Sequence, residues 1–365
     1  MPQASGLSRR TSRTVAIVLS GSILFAAGAS YATATAVTAQ IKHVNVFGPL
    51  INRPLSDGGE NILLVGSDDR TGLTKKERRQ LHVGQGDYGR HTDSIMIVHI
   101  AHDGSVGVVS LPRDSDVQIP SYTDSNHRTH PAHRDKINAA YMYGGPALTV
   151  ETVEANTGVH IDHYAEINFA GFVNMVDALG GVPVCFKQPV KDTLAGLNLP
   201  AGETVLDGKQ ALAYVRARHI DATSDYGRMN RQQSFLGSVF NQVISPAVVL
   251  NPPRLVAFLN SAASAVTTDD GFGQGELWGL VARMRGLSPS SISFQTVPTS
   301  GTNSAANEVW DSAKAAALFA KLKTGAPLVD PPKAAAPSVK GKSPAPVPAP
   351  SSPDAPKTAA DPICG

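Results

Sequence analysis

The chain has 365 residues, with 32 Lys and Arg against 30 Asp and Glu, and 17% of its residues are charged. A net charge near +2 shows none of the basic excess usual in a nucleic-acid-binding domain and argues against that class. Two cysteines, Cys185 and Cys364, are too few for a thiolate zinc site; they leave open a single disulfide in an exported protein or two thiols in a reducing compartment.

In chain order, Arg9, Arg10 and Arg13 precede an uncharged stretch from about 15 to 39, long enough to cross a bilayer once. Arginines ahead of the span predict a cytoplasmic segment 1–13, an anchor over 14–39 and an exported remainder. Small residues around Ala32, Ala34 and Ala36 also suit a cleaved signal peptide, which exports the same domain. Residues 40–57 read as a stalk.

NILLVG (61–66) is a short apolar run ending in Gly, the pattern of a buried strand. After a polar loop over 71–90, SIMIVHI (94–100) and SVGVVSL (105–111) read as two strands joined by a tight turn, and 115–135 reads as another loop. A helix is expected over 139–156, interrupted at Gly144-Gly145-Pro146. HYAEINF then reads as a strand, and GFVNMVDALGG as an amphipathic helix closed by Gly180. Strands are expected at 183–186 and at YVRARH (214–219), the latter after a helical turn at 209–213. Asp225 is placed to cap a helix running to about 244. Helical patterns follow at 253–266 and 275–285, then a strand SISFQTV and a last helix through AKAAALFAKL. Beyond about 327 the chain is rich in Pro, Ala and Ser, a composition without a packed core. The simplest division is one α/β domain over 58–326 and a disordered tail over 327–365.

Acidic and arginine-bearing clusters stand at expected strand ends: Gly66-Ser67-Asp68-Asp69-Arg70, Arg90-His91-Thr92-Asp93 and Pro112-Arg113-Asp114. Several such clusters delivered to one sheet edge suit an anion and a metal, although any one carboxylate there also serves to cap a turn. In YVRARH a strand puts Tyr214, Arg216 and Arg218 on one face; in DYGRMNRQQ a helix puts Arg228, Arg231 and Gln232 on one face. Arginine forks bind phosphate oxygens in pairs, so these clusters point to a phosphate or diphosphate rather than to a solvated edge. The helix stripe Phe169, Phe172, Val173, Met175, Val176 and Leu179 reads as core or as the wall of a lipid channel. His127, His130 and His133 are spaced by three in a loop, which is not ligand geometry, and the basic run Lys75, Lys76, Arg78 and Arg79 reads as a solvated loop.

The stretches NILLVGSDDR, GRHTDSIMIVHI, VVSLPRDSDVQIP, DKINAAYMYGG, INFAGFVNMVDALGGVPV, LPAGETVLDGKQALAYVRARH and DYGRMNRQQSFL resemble, in order, the motifs of the LytR–CpsA–Psr proteins, actinobacterial type. The resemblance implies an αβα sandwich with a central mixed β-sheet and an apolar lipid-binding cavity, preceded by one transmembrane helix. It implies a phosphotransferase that moves a teichoic acid, arabinogalactan or capsule-type glycopolymer from a polyprenyl-diphosphate carrier to peptidoglycan through a phosphodiester bond. On that resemblance Asp68 and Asp93 hold magnesium, or manganese in its place. Arg90, Arg113, Lys136, Arg216, Arg218, Asp225, Arg228 and Gln232 hold the diphosphate, and Asp93, Arg90, Arg113 and Arg218 carry the catalysis. Its partners are the lipid-linked polymer, peptidoglycan and the membrane, with the catalytic domain extracytoplasmic. The chain departs from the pattern at His91, where many members carry Arg. Two other functions use the same features: a polyprenyl-diphosphate hydrolase, and a non-catalytic envelope regulator.

Overall fold

In a computed structural model the chain is described over residues 35, 37–56, 59–70, 73–84, 92–218, 220, 224–273, 275–276, 279, 283, 287–329 and 356–360, the side chains of 224, 225 and 249 apart. The expected apolar runs become β2 and the strands around it. β1 (Lys42–Val44) is followed by β2 (Glu60–Ser67), the short helix α1 (Lys75–Gln80), β3 (Thr92–Ile100) and β4 (Val106–Leu111). The next strands, β5 (Asp116–Ile119), β6 (Tyr122–Thr123), β7 (Thr129–His130) and β8 (His133–Lys136), nest as two hairpins, β5 against β8 and β6 against β7. Helix α2 (Ala139–Thr157) leads to β9 (His163–Ile167) and α3 (Phe169–Ala178). β10 (Val182–Phe186), β11 (Val190–Asp192), β12 (Leu197–Leu199) and β13 (Gly202–Leu206) pair as β10 with β13 and β11 with β12. Then come α4 (Gly208–Arg216), α5 (Ser224–Val243), α6 (Pro246–Val249), α7 (Pro252–Ala265), β14 (Val266–Asp269) and β15 (Ile292–Thr296). A hairpin of β16 (Thr299–Thr302) and β17 (Glu308–Trp310), helix α8 (Ser312–Lys323) and β18 (Lys357–Thr358) complete the described chain.

The main sheet runs β1-β14-β9-β2-β3-β4-β15-β18. It is mixed: β2 pairs antiparallel with β3 and parallel with β9, while β4 pairs parallel with β15. Strand side chains alternate between faces. Leu63, Val65, Ile95, Ile97, Val109 and Leu111 therefore share one face and pack on Tyr141, Val150 and Val153 of α2 and Leu318, Phe319 and Leu322 of α8. Leu64, Met96, Val98 and Val108 share the other and meet Leu236 and Phe240 of α5. Helices on both faces of a central mixed sheet match the expected layers.

The structure departs from the sequence reading at several places. YVRARH is not a strand: α4 runs to Arg216, so Tyr214, Arg216 and Arg218 do not alternate on one strand face. A capping box explains it, since Asp207 accepts from Gln210 N and Gln210 from Asp207 N, at 2.8 and 3.1 Å. The loop over 71–90 contains α1, which Thr74 and Glu77 cap in the same way, and the loop over 115–135 contains the nested hairpins. The stalk enters the sheet through β1, and Val46 is buried in the core. Within the Pro- and Ala-rich tail, β18 pairs with β15, and Ala359 packs beside Ile292 and Phe294 where the tail has no proline. The interruption in α2 is as expected, with Gly145 at φ 65° just before Pro146.

Among the described residues no helix is long and apolar enough to cross a membrane; the span expected over 14–39 lies outside them except for residues 35 and 37–39. Cys185 is disulfide-bonded. The chain's other cysteine, Cys364, lies outside the described residues.

Candidate active site

The register between β2 and β3 slips where β2 ends. Gly66 pairs with Ser94 and Ser67 with Thr92, which leaves Asp93 as an extra residue on β3. A bulge of this kind bends the strand and re-aims a side chain. Asp93 lines a cavity of about 230 Å³ between the sheet and helices α3, α4 and α5. Leu64 and Met96 from the strands, Phe172 from α3, Leu212 and Val215 from α4, and Phe235 from α5 supply apolar wall. Arg216, Arg218 and Arg228 line the same cavity with Asp93. Asp93 lies near the start of β3 and Leu64 and Met96 lie deeper along the strands, so the charged groups gather at one end of a greasy space.

Around Asp93 the contacts are specific. Arg113, just past β4, donates from Nη1 to Asp93 Oδ1 at 2.9 Å, and Nη2 of Arg218 lies 3.9 Å from the same oxygen. Burial opposes the charge on Asp93, but the Arg113, Arg228 and Arg218 guanidiniums outweigh it and hold its carboxyl below the ordinary aspartate value. On its other side Arg113 Nε lies 3.4 Å from Asp114 Oδ2, and Lys136 Nζ, at the end of β8, lies 2.9 Å from Asp114 Oδ1. Asp114 thus separates two cations that would otherwise repel. It was noticed in the sequence only as part of a cluster; the need for an anion between Arg113 and a second cation was the signal for its role.

Arg216 closes α4 and reaches back toward α1, donating to Leu81 O at 3.3 Å and His82 O at 3.5 Å. Its guanidinium carbon sits 4.9 Å from the centre of the Phe169 ring. Burial lowers its pKa, yet an arginine stays charged at any physiological pH. The backbone N–H of Arg218 donates to Asp192 Oδ2 at 3.1 Å, which fixes the chain as it leaves α4. Arg228 is 3% exposed on α5. One turn on, Gln232 donates from Nε2 to Val215 O at 3.2 Å, and Arg231 donates to Ala217 O, so α5 clamps the end of α4.

Of the residues expected to meet, Asp93, Arg216, Arg218, Arg228 and Gln232 share the cavity wall, and Arg113 and Lys136 join them through Asp93 and Asp114. Gln232 differs from expectation in that its amide nitrogen is engaged by a helix carbonyl. Asp68 is outside the cavity wall; its Oδ2 lies 3.5 Å from Arg70 Nη2, and its charge acts on Arg216. Arg90 and the side chain of Asp225 lie outside the described residues, and α5 begins at Ser224, one residue ahead of the expected cap. Of the helix stripe, Phe169 and Phe172 reach the cavity, while Val176 and Leu179 are core. The walls from Leu212, Val215 and Phe235 were not singled out in the sequence, because a channel wall and a core face have the same pattern.

Among the described residues no three His, Cys, Asp or Glu gather as a metal cage. Asp68 and Asp93 both act on the charge of Arg216, and carboxylate oxygens completed by phosphate and water are the hard ligands that magnesium takes.

The signature of the LytR_cpsA_psr family matches residues 23–324. "Probable cell wall biosynthesis protein LcpB" of Corynebacterium glutamicum is 40% identical over 269 residues, which cover 73% of this chain and 61% of that protein. The chain therefore spans about three fifths of the length of that curated relative. A LytR-Csp2A-Psr enzyme from Actinomyces oris has a similar fold, with a TM-score of 0.57 at 23% identity, covering 78% of this chain and 96% of that one. A structure described as TagT bound to LIIa-WTA has a TM-score of 0.57 at 22% identity, covering 78% and 99%. The match of the family signature to most of the sequence, on a fold shared with solved relatives, shows that the chain belongs to the LytR_cpsA_psr family.

Proposed function

We propose that the protein is a phosphotransferase that moves a glycopolymer from a polyprenyl-diphosphate carrier to peptidoglycan through a phosphodiester bond. The observation that carries this reading is the set of guanidiniums around Asp93 at one end of an apolar cavity. An anionic head joined to an aliphatic tail is complementary to both halves of that site. Membership of the family and the ligand named for TagT support it. The anchor over 14–39 would hold the domain outside the membrane, where the disulfide at Cys185 suits an oxidising compartment.

In the proposed reaction a hydroxyl oxygen of the acceptor attacks the phosphorus that bears the sugar. A new P–O bond forms, the bridging P–O bond breaks, and its electron pair leaves with polyprenyl phosphate. Arg216, Arg218 and Arg228 take up the charge that builds on that leaving phosphate, and Arg113 orients Asp93; the catalytic role that the family resemblance gives Arg90 belongs to the same proposal. Asp93 receives the hydroxyl proton late, since its arginines make it a weak base. The family resemblance gives Lys136, Asp225 and Gln232 to the head group as well. Magnesium or manganese on Asp68 and Asp93 would supply further neutralisation of the diphosphate when bound.

The test is incubation of the purified full-length chain with a labelled polyprenyl-diphosphate-linked saccharide, with and without peptidoglycan. Label is expected in the peptidoglycan. Release of sugar phosphate at one rate whether or not peptidoglycan is present would make the protein a hydrolase, and no turnover at all would leave it a non-catalytic regulator.

A further inference from the structure

The apolar cavity lies on one side of the Asp93 cluster; neither Arg113 nor Lys136 belongs to its wall. Beyond that wall the contacts pass through β8, whose alternating residues turn Lys136 toward Asp114 on one face and Asp135 toward Tyr143 on the other. Arg113 and Lys136 share Asp114, the backbone N–H of Lys136 donates to Asp135 Oδ1 at 2.7 Å, and Asp135 Oδ2 accepts from the Tyr143 hydroxyl at 2.7 Å. The bond to Asp135, with burial, pushes the Tyr143 hydroxyl up to about 12, so it stays a donor. Tyr143 stacks on Tyr122 with centroids 5.4 Å apart and planes 5° apart, and Tyr122 stacks on His130 at 4.8 Å and 12°. His133 leans on Tyr143 at 5.7 Å. His130 Nε2 lies 3.0 Å from Asp124 Oδ2, while 40% of its side chain remains exposed.

A half-buried ring stack edged by carboxylates has the chemistry that recognises a pyranose. The C–H face of a sugar packs on an aromatic ring, and its hydroxyl edge bonds to carboxylates and to phenol. We infer that the β6–β7 hairpin with Tyr143 is a saccharide subsite. The inference rests on reading the arginine cluster as a diphosphate site, which β8 joins to the ring stack through Lys136 on one face and Asp135 on the other. A glycopolymer on the donor and the glycan of the acceptor share this chemistry.

Titration of the full-length chain in detergent tests the subsite with three probes: a tetramer of β-1,4-linked N-acetylglucosamine, bare polyprenyl diphosphate, and polyprenyl diphosphate carrying a disaccharide. His130→Ala, which removes the ring at the open end of the stack, is expected to lose about tenfold in affinity for a sugar-bearing probe, the scale of one ring contact with its hydrogen bonds, and Tyr122→Leu, which takes away the ring that seats His130, should lose about as much. Bare polyprenyl diphosphate binds them as it binds the wild type. A loss on the tetramer assigns the subsite to the acceptor, and a loss on the linked disaccharide alone assigns it to the donor. Unchanged binding of both sugar probes, or equal loss on the bare lipid, overturns the subsite. Should Tyr122→Leu fail to fold, His130→Ala, on the outer ring, still decides. If the wild type binds no bare polyprenyl diphosphate, the diphosphate reading fails by itself, and the tetramer still tests the hairpin.

Discussion

The two faces of the central sheet are built from alternate residues of the same strands, and they end differently. On one, Leu63, Val65, Ile95 and Ile97 are almost fully buried against α2 and α8. On the other, Leu64 and Val98 are only partly buried, and α3, α4 and α5 stand over a cavity of about 230 Å³. Helices α3 and α4 instead press on each other: a Cβ at Gly208 would lie 2.3 Å from Val173 O. Unfilled apolar space forfeits dispersion contacts, so the cavity face gives up stability that the packed face keeps. On the proposed reading, that difference separates a face that is packed from one that receives an occupant, whose head would lie at the charged residues of the cavity wall.

The largest expected effect is on turnover. Arg113→Ala and Arg218→Ala each remove a cation beside Asp93, and each should lower kcat by about 10²–10³-fold, the scale of losing one preorganised electrostatic contact. Steady-state transfer assays check this, with the melting temperature as control. Wild-type turnover in both variants would remove the arginines from the chemistry.

Adjacent residues give the cleanest contrast between the faces. Val65→Phe adds volume to a filled core and should cost about 1–3 kcal/mol in denaturant unfolding. Leu64→Phe adds its ring on the cavity side and should cost under about 1 kcal/mol, while weakening the binding of long-chain polyprenyl diphosphate more than that of inorganic diphosphate. Equal destabilisation by the two would mean that the cavity is not a standing feature of the fold.

This contrast also divides what was legible in the sequence. The runs around Leu63, Ile97 and Val109 announced β2, β3 and β4, because apolar residues ending at Gly or Asp have few other uses. The arginine clusters were expected to meet, and Arg216, Arg218 and Arg228 do line one cavity. The helix carrying Arg216 is legible only as a turn at 209–213 although Asp207 and Gln210 spell a capping box, since the alternation in YVRARH imitates a strand. The bulge at Asp93 has no local signature: it is set by the register between two strands and not by either one. The aromatic stack was hidden because Tyr122, His130 and Tyr143 come from separate elements that meet only after folding.

The smallest effect concerns pH, and it sets the head-group end of the sheet against the far end of β9. Asp93 has its pKa lowered by Arg113, Arg228 and Arg218 against the opposing effect of burial. Its contribution to stability is therefore present above the unfolded aspartate value, about 3.9, and is lost as pH falls through the folded value. At the start of β9, burial disfavours charge on His163, but hydrogen bonding to Asp269 at 3.3 Å prevails and raises its pKa. Its contribution is present below the unfolded histidine value, about 6.5, and is lost as pH rises through the folded value. Arg113→Gln removes one of the cations that hold Asp93 down, so the acid limb of both melting temperature and transfer rate should move to higher pH while the alkaline limb set by His163 stays. Asp269→Asn should move the alkaline limb of stability down and also remove the share of the acid limb of stability that Asp269 supplies, because against burial His163 and the backbone N–H groups of Tyr164 and Gly271 hold its carboxyl low, while the acid limb of the transfer rate stays. If Arg113→Gln left the acid limb where it is, Asp93 would not be the carboxylate that the arginines hold charged.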